Sequence, residues 1–318
     1  MTDSEPAEPA APMVVAGDAV IDLVAADGAT IEEATTFRRF PGGSGLNVAA
    51  CLGLLESPVS MLTTVADDPF GEALRGHLRS LGVDTAPIRK GVGRTTLTVA
   101  EPAGASEPTW LVYPGTEPPL APADCRSVSL DPVEWLHVTG VTLATGPARR
   151  ATLTLVDRAA AADATVSFDL NARPSLWDDP GPYREAVREV LASADVAIAA
   201  RGDLRAMDLP LTPDLAGPAL REAGPTQAIL TRGSEGAVGY SSEGGPVTRP
   251  GFEVDAVDTA GAGDAFAAGF IAARRATADL GEALTAGNAV AATAVRTVGA
   301  HAGVDPAAVA TLLPDLPW

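Results

Sequence analysis

Residues 258–270 read "DTAGAGDAFAAGF", from Asp258 to Phe270. Glycine and alanine strip the centre of this stretch to bare backbone and leave one carboxylate, Asp264, at its edge. The apolar run that follows, "AFAAGFIAARRA", has helical spacing, so the stretch reads as a glycine loop feeding a helix N-terminus. Free N–H groups and the helix dipole favour an anion there, and small side chains let the anion reach the backbone. A dinucleotide fingerprint, G-x-G-x-x-G, fails because Phe266 stands where the third glycine belongs. Two readings fit these residues alone: an anion cradle, or a tight turn with Asp264 in the first helical turn, where a carboxylate is favourable anyway.

Two stretches near the start pose the same choice. In "PGGSGLNVAA" (41–50), Gly42 and Gly43 permit close approach to the backbone. Asn47 sits one turn into an otherwise apolar helix, a poor place for Asn unless its amide has a bonding task. A capped helix start explains the same residues. "GDAVID" puts Asp18 and Asp22 at the end of the first strand, where paired carboxylates suit the hydroxyls of a polyol or form an Asx turn.

Outward from these motifs, apolar strands alternate with helical segments. "MVVAGDAVIDLV" (13–24) begins as a buried strand and continues as an alternating one. Helix 44–56, strand 59–65 and helix 69–83 follow, the last with Pro69 near its start and Gly82 at its end. Strands 134–140, 165–171, 195–200 and 227–233 then alternate with helices 147–162, 181–193 and 213–223. That rhythm predicts βαβ units, a mostly parallel Rossmann-like sheet covered by helices on both faces. Residues 20–40 and 94–114 carry β-type residues without helices between them. They predict a small antiparallel sheet inserted into the α/β body, either edge hairpins or a lid over the carboxyl ends of the strands.

Composition excludes several classes. Lys90, in the turn-like "IRKGVG", is the only lysine among 318 residues, so a Walker loop, a Schiff-base site and a protein-kinase strand lysine are all ruled out. Any phosphate must meet backbone amides and arginines. A net charge of −19 disfavours nucleic acid, and no apolar run reaches the length of a membrane span. Cys51 and Cys125 lie far apart without a Cys/His cluster, which argues for a reducing, cytoplasmic setting and against structural zinc. The acidic, Pro-rich residues 1–12 read as a disordered tail before one domain spanning 13–318.

Taken together, "PGGSGLNVA" and "DTAGAGDAFAAGF" resemble the N- and C-terminal signatures of the ribokinase-like (PfkB) carbohydrate kinases. The likeness covers nearly the whole chain from Met13. It implies the ribokinase-like fold with its β-lid, ATP and Mg²⁺ as requirements, and a sugar as substrate. Ala260, Gly261, Ala262 and Gly263 would then form an anion hole for the phosphoryl group in flight, and Asp264 would take the proton from the attacking sugar hydroxyl. Asp18, Asp22, Gly42, Gly43 and Asn47 match sugar-binding positions. Thr231, Gly233 and Asn288 match positions near the nucleotide, and Asp258 one tied to a monovalent cation such as K⁺.

"FDLNARPSLWDD" resembles the D-x-N-x-R-x-x-L-W pattern common in fructokinases and ketodeoxygluconate kinases, through Asp169, Asn171, Arg173 and Trp177. Arg173 would pair with a sugar-acid carboxylate, a phosphate or another charge. One departure stands out: the family's Asn-x-x-Glu motif, which holds magnesium through water, is here "ARGDL", with Ala200 and Asp203 in those places. The resemblance therefore points to an ATP-dependent kinase acting on a primary sugar hydroxyl, with fructose first. A ketodeoxygluconate kinase comes next, followed by a ribokinase or nucleoside kinase, and a weakly catalytic sugar or nucleotide sensor is the non-enzymatic option. Family lids often pair, so a homodimer through the lid is a further expectation.

Overall fold

Strands of small and β-branched residues, buried on both faces, build an eight-stranded sheet. The computed structural model describes residues 13–26, 28–101, 110–131, 133–177, 179–242 and 244–314. The tail 1–12 and residues 102–109 of the second β-rich stretch lie outside the described residues. Across the sheet the strands run Val247–Arg249, Ala237–Tyr240, Gln227–Thr231, Val196–Ala200, Thr165–Asp169, Trp135–Thr139, Met13–Ala16 and Val59–Leu62. The last six are parallel, and the first two form an antiparallel hairpin on the edge.

Two apolar cores flank the sheet. One packs helices Ser44–Leu54, Ala262–Ala276 and Leu280–Ala294. The other packs helices Gly146–Ala161, Pro180–Leu191 and Pro213–Glu222. Helices Ala262–Ala276 and Leu280–Ala294 approach closely because Gly269 and Gly287 present no side chain; a Cβ on Gly287 would press on the Phe266 ring at 2.8 Å. Helix boundaries follow capping chemistry. Asp68 accepts from the Gly71 amide at 2.8 Å ahead of Pro69, and Asp279 accepts from the Glu282 amide at 2.8 Å.

The stretch 13–24, read as a buried strand continuing into an alternating one, divides between two sheets. Met13–Ala16 belongs to the large sheet, and Val20–Ala25 to a second sheet. The break falls at Gly17, where the backbone passes so close to Gly45 that a Cβ on either would overlap the other chain. The second sheet has the order Phe37–Gly42, Val20–Ala25, Leu97–Ala100 and Trp110–Tyr113. It is mixed, not antiparallel as expected: Val20–Ala25 and Leu97–Ala100 run parallel. Helix Pro69–Ser80 lies between them in sequence, and a crossover of that length returns a strand in the same direction. The expected strand 59–65 also splits, its second part pairing with Arg89–Gly91. The short strands 237–240 and 247–249 and the helices 201–206, 280–294 and 306–312 carry no strong periodic signal and went unread in the sequence.

Candidate active site

The glycine loop sits where the helix Ala262–Ala276 begins. Gly261 is its N-cap in the left-handed conformation, φ 74°, with no side chain capping the first turn. A side chain at 261 would collide with Ala300 as well as strain the backbone. Gly263 is different: its backbone is helical, and nothing lies within 4 Å of where its Cβ would stand. Neither conformation nor packing inside the protein demands glycine there. What its bare backbone keeps clear is the space in front of the helix N-terminus, where the dipole and first-turn amides favour an anion, the Ala262 amide being also shared with the Thr259 carbonyl at 3.3 Å.

Asp258 opens the same loop and is buried. One of its oxygens accepts from the Ala260 amide at 3.0 Å, and the other from the Gly299 amide at 3.1 Å. It staples the glycine loop to the segment after helix Leu280–Ala294. A carboxylate offers about four lone-pair directions, so these two bonds leave capacity for a cation beside it.

Asp264 is buried too, but its partners are side chains. Ser44 Oγ donates to Oδ1 at 2.7 Å, and Asn47 Nδ2 donates to Oδ2 at 2.8 Å. Asn171 Nδ2 donates to Ser44 Oγ at 2.7 Å and lies 3.5 Å from Asp264 Oδ1. Burial pushes the Asp264 carboxyl up to about 6, against the pull of the Ser44 and Asn47 bonds. A carboxylate with that value is ionised at neutral pH and still a usable base. Asn171 is a non-glycine residue at φ 34°, buried, with Oδ1 lacking a protein partner. Strain and an unpartnered acceptor at one buried position mark a functional site. Ser44 was missed in the sequence. Its place ahead of a helix in "GGSG" reads as an ordinary N-cap, and only the fold turns its hydroxyl toward a residue 220 positions away.

Asp18, Asp22, Gly42 and Gly43 come together beside this group. Asp18 Oδ1 accepts from the Gly45 amide at 3.3 Å, and desolvation raises its carboxyl above the usual range. Asp22 accepts from Thr98 Oγ1 and is pushed up to about 7, mainly by burial, with Asp18, Asp264 and Asp258 adding repulsion. A Cβ on Gly42 would fall on the Asp22 carboxyl group, and Gly43, at φ 97°, lies against the Asp18–Ala19 backbone. These glycines hold the Asp18 and Asp22 carboxyl groups close to the start of the Ser44–Leu54 helix.

Arg173 is exposed, donates to the Ala172 carbonyl at 3.0 Å, and lowers Asp18, Asp169, Asp203 and Asp264 through its charge. Asp203 Oδ1 accepts from the Ala172 amide at 2.6 Å and Oδ2 from the Ala200 amide at 2.7 Å. Asp169 is raised well above the carboxylate range by burial, then by Asp203 and Asp264. Buried carboxyl groups that repel one another make a place where a cation is favourable. Asp203, with each oxygen already bonded to an amide, fits a water-mediated contact better than direct coordination.

Of the three positions expected near the nucleotide, Asn288 bonds the turn at 249–251 and Gly233 opens the turn that packs on it, while Thr231 lies one strand away. Thr231 ends strand Gln227–Thr231 at its carboxyl end. Gly233, at φ 60°, faces open space. Asn288 donates to the Arg249 and Pro250 carbonyls at 3.2 and 3.0 Å, while the 233–236 turn packs on Gly251. Asn288 therefore braces the turn against which the 233–236 turn packs. Lys90 takes no part: its ammonium pairs with Glu72 at 2.8 Å and Asp67 at 3.5 Å.

The sequence matches the pfkB family carbohydrate kinases over residues 11–307. The chain belongs to that family, and it is a carbohydrate kinase using ATP. It is 31% identical to the fructokinase of Vibrio alginolyticus over 266 residues, 81% of this chain and 82% of that one. It is 31% identical to the 2-dehydro-3-deoxygalactonokinase of Haloferax volcanii, covering 82% and 83% of the two chains. A fructokinase double mutant from Vibrio cholerae, solved with fructose, ADP and potassium bound, superposes with a TM-score of 0.85 at 25% identity, over 96% of this chain and 99% of that one.

Proposed function

We propose that this kinase is a fructokinase that phosphorylates a primary hydroxyl of the sugar. The observation that carries the reading is the buried Asp264 carboxylate, aimed by Ser44 and Asn47 beside a helix N-terminus whose Gly263 faces open space. Asp18 and Asp22 accept bonds from sugar hydroxyls, with Gly42, Gly43 and Asn47 closing the same pocket. The hydroxyl to be phosphorylated lies against Asp264, which takes its proton as the oxygen attacks the γ-phosphorus of ATP. The amides of Gly261, Ala262 and Gly263 meet the charge on the phosphoryl group in flight. Phosphoryl transfer asks mainly for positioning and charge stabilisation, so an amide cradle serves without lysine.

Magnesium, when bound, neutralises phosphate charge; Asp169 and Asp203 fit it, Asp203 through water. Asp258 keeps lone pairs for a monovalent cation, and potassium accompanies ADP in the Vibrio cholerae enzyme. Thr231, Gly233 and Asn288 frame the nucleotide side. The small sheet closes over the sugar as a lid. Its edge strand Trp110–Tyr113 exposes four apolar and aromatic side chains in a row, a surface suited to pairing with a second lid. The two buried free thiols, Cys51 and Cys125, fit a cytoplasmic protein.

Fructose is preferred on the strength of the Asp169–Trp177 segment and the fructokinase relatives. A sugar acid is the second reading, favoured by the exposed Arg173 guanidinium and the Haloferax relative. A coupled ADP-release assay across fructose, ketodeoxy sugar acids, ribose and nucleosides separates them. The highest kcat/KM is expected with fructose. A sugar acid preferred over fructose, with the preference lost in Arg173→Ala, would replace the first reading by the second. ATP and sugar binding without ADP release from any acceptor would favour a sensor.

A further inference from the structure

A line of hydrogen bonds leaves the Asp264 carboxylate through helix Ser44–Leu54. Asn47 Nδ2 donates to Asp264 Oδ2 at 2.8 Å, Asn47 Oδ1 lies 3.1 Å from His301 Nδ1, and His301 Nε2 lies 2.8 Å from His77 Nε2. These are two of the three histidines in the chain. The chemistry fixes the direction of every link. A carboxylate only accepts, so the Asn47 amide nitrogen faces Asp264 and its oxygen faces His301, whose Nδ1 must carry the proton. Burial pushes His301 down to about 4, so the ring is neutral with a bare Nε2, and His77 donates to it. With Asn47 turned over, its carbonyl oxygen would oppose the carboxylate and two N–H groups would face each other at His301.

We propose that His301, anchored by His77, is a positioning residue for Asp264: it locks the Asn47 amide so that its N–H₂ end holds the carboxylate. The inference rests on the reading of Asp264 as the base. The 299 segment has an anchor besides His301, since Asp258 accepts from the Gly299 amide. Nor does the His301 ring merely fill volume. It borders a cavity of about 310 Å³ between Phe40, Pro41, Leu54, Leu81 and Ala302, large enough to admit a free imidazole. The charged and titratable groups facing Asp264 from other elements are Asp18, Asp22, Asp169 and Arg173, with the Cys51 thiol behind it. His301 faces His77.

The test is the pH dependence of kcat for His301→Ala. Releasing Asn47 removes a bond that favours the ionised carboxylate, so the acid limb should move up by about one pH unit. Turnover at neutral pH should fall roughly tenfold through misplacement of the base. Added imidazole should restore both, and His301→Gln, which keeps a donor toward Asn47, should retain most of the native profile. His77→Phe changes a half-exposed position and should shift the limb in the same direction by less, which keeps the test available if His301→Ala fails to fold. An unmoved acid limb in the folded variants, whatever their melting temperature, overturns the positioning role. Asp264→Asn separates the two levels of the inference. Loss of turnover there with an unmoved limb in the histidine variants refutes positioning alone. Retained turnover in Asp264→Asn refutes the base and the positioning with it.

Discussion

Asp258 and Asp264 lie six residues apart, one in the glycine loop and one in the first turn of the helix it feeds, both buried, and the protein bonds them in opposite ways. Asp258 accepts backbone amides on both oxygens, from Ala260 and Gly299. Asp264 accepts side-chain donors, Ser44 and Asn47, and is held at about 6. The glycines repeat the contrast. Gly261 is required by its left-handed backbone and by Ala300, whereas Gly263 touches nothing within 4 Å. On the proposed reading, the first half of this stretch serves the fold and the second half serves the reaction. A carboxylate tied to amides is a staple, because its removal leaves buried N–H groups without partners. One tied to rotatable side chains in a desolvated pocket remains available to a ligand.

The largest expected effect falls on the reactive half. Asp264→Asn keeps the shape and removes the basicity, so turnover should drop roughly 10²–10⁴-fold, with melting temperature and ATP affinity close to native. Steady-state kinetics beside calorimetry decide it; comparable turnover by the Asn variant would take Asp264 out of its role. The native enzyme should also lose activity as the pH falls through about 6, where the carboxyl protonates.

Gly263→Ala sharpens the division. An alanine in a helical turn with no neighbour should leave stability unchanged or raise it by about 0.5–1 kcal/mol. The new methyl group stands where the phosphoryl group must approach, so kcat should fall by up to about 10²-fold. Equal losses in stability and turnover would mean that Gly263 belongs to the fold after all.

Asp258→Ala should do the reverse. The buried Gly299 amide loses its acceptor, at about 1–3 kcal/mol, and the part-buried Ala260 amide loses its own, so the melting temperature should fall by several degrees before any kinetic defect is considered. Native stability in that variant would erase the distinction between staple and base.

What the sequence disclosed follows the same line. The mostly parallel sheet and the glycine loop were legible because strand composition, helical spacing and bare glycines are local signals. The assignment of residues from 20 onward to a second sheet was legible too, but not the contact of Gly17 with Gly45 at which the chain leaves the first. The parallel pairing of Val20–Ala25 with Leu97–Ala100 was hidden because register across a long crossover leaves no local trace. Asp264, Asn47 and Asp18 were readable as candidates, each with a turn or a helix start as its local alternative, and the two family signatures decided between them. Ser44 and His301 were not: a serine at a helix start and a lone histidine in a loop have ordinary explanations until the fold brings them to the carboxylate. Asp258 and Asp203 looked like ligand residues in sequence, and only their amide partners disclose that each also holds two segments together.

The smallest effect tests whether the reactive half is held against the interest of the fold. Asp22 is raised to about 7, so between about pH 4 and 7 the folded chain keeps a proton that the unfolded chain has released. Stability contributed by that proton is present at low pH and is lost as the pH rises through about 7. His77, His137 and His301 are shifted downward and act in the opposite sense below about 6.5. The histidines oppose Asp22 below about pH 6.5, so its contribution is read as the difference between native protein and variant across about pH 4 to 7, with Asp169 adding to it in the same direction. Asp22→Asn should flatten the decline of melting temperature across that window. At pH 8 it should melt at least about 2–4 °C above the native protein, a gap that narrows as the pH falls and closes near pH 4, where Asp22 is neutral in both the folded and the unfolded chain. The same variant should bind fructose more weakly, because an acceptor for sugar hydroxyls has become partly a donor. Calorimetry at a series of pH values, without ligands, is the measurement. An unchanged slope, or a variant less stable than the native protein at pH 8, would make Asp22 a staple like Asp258 and move the boundary between the two kinds of carboxylate.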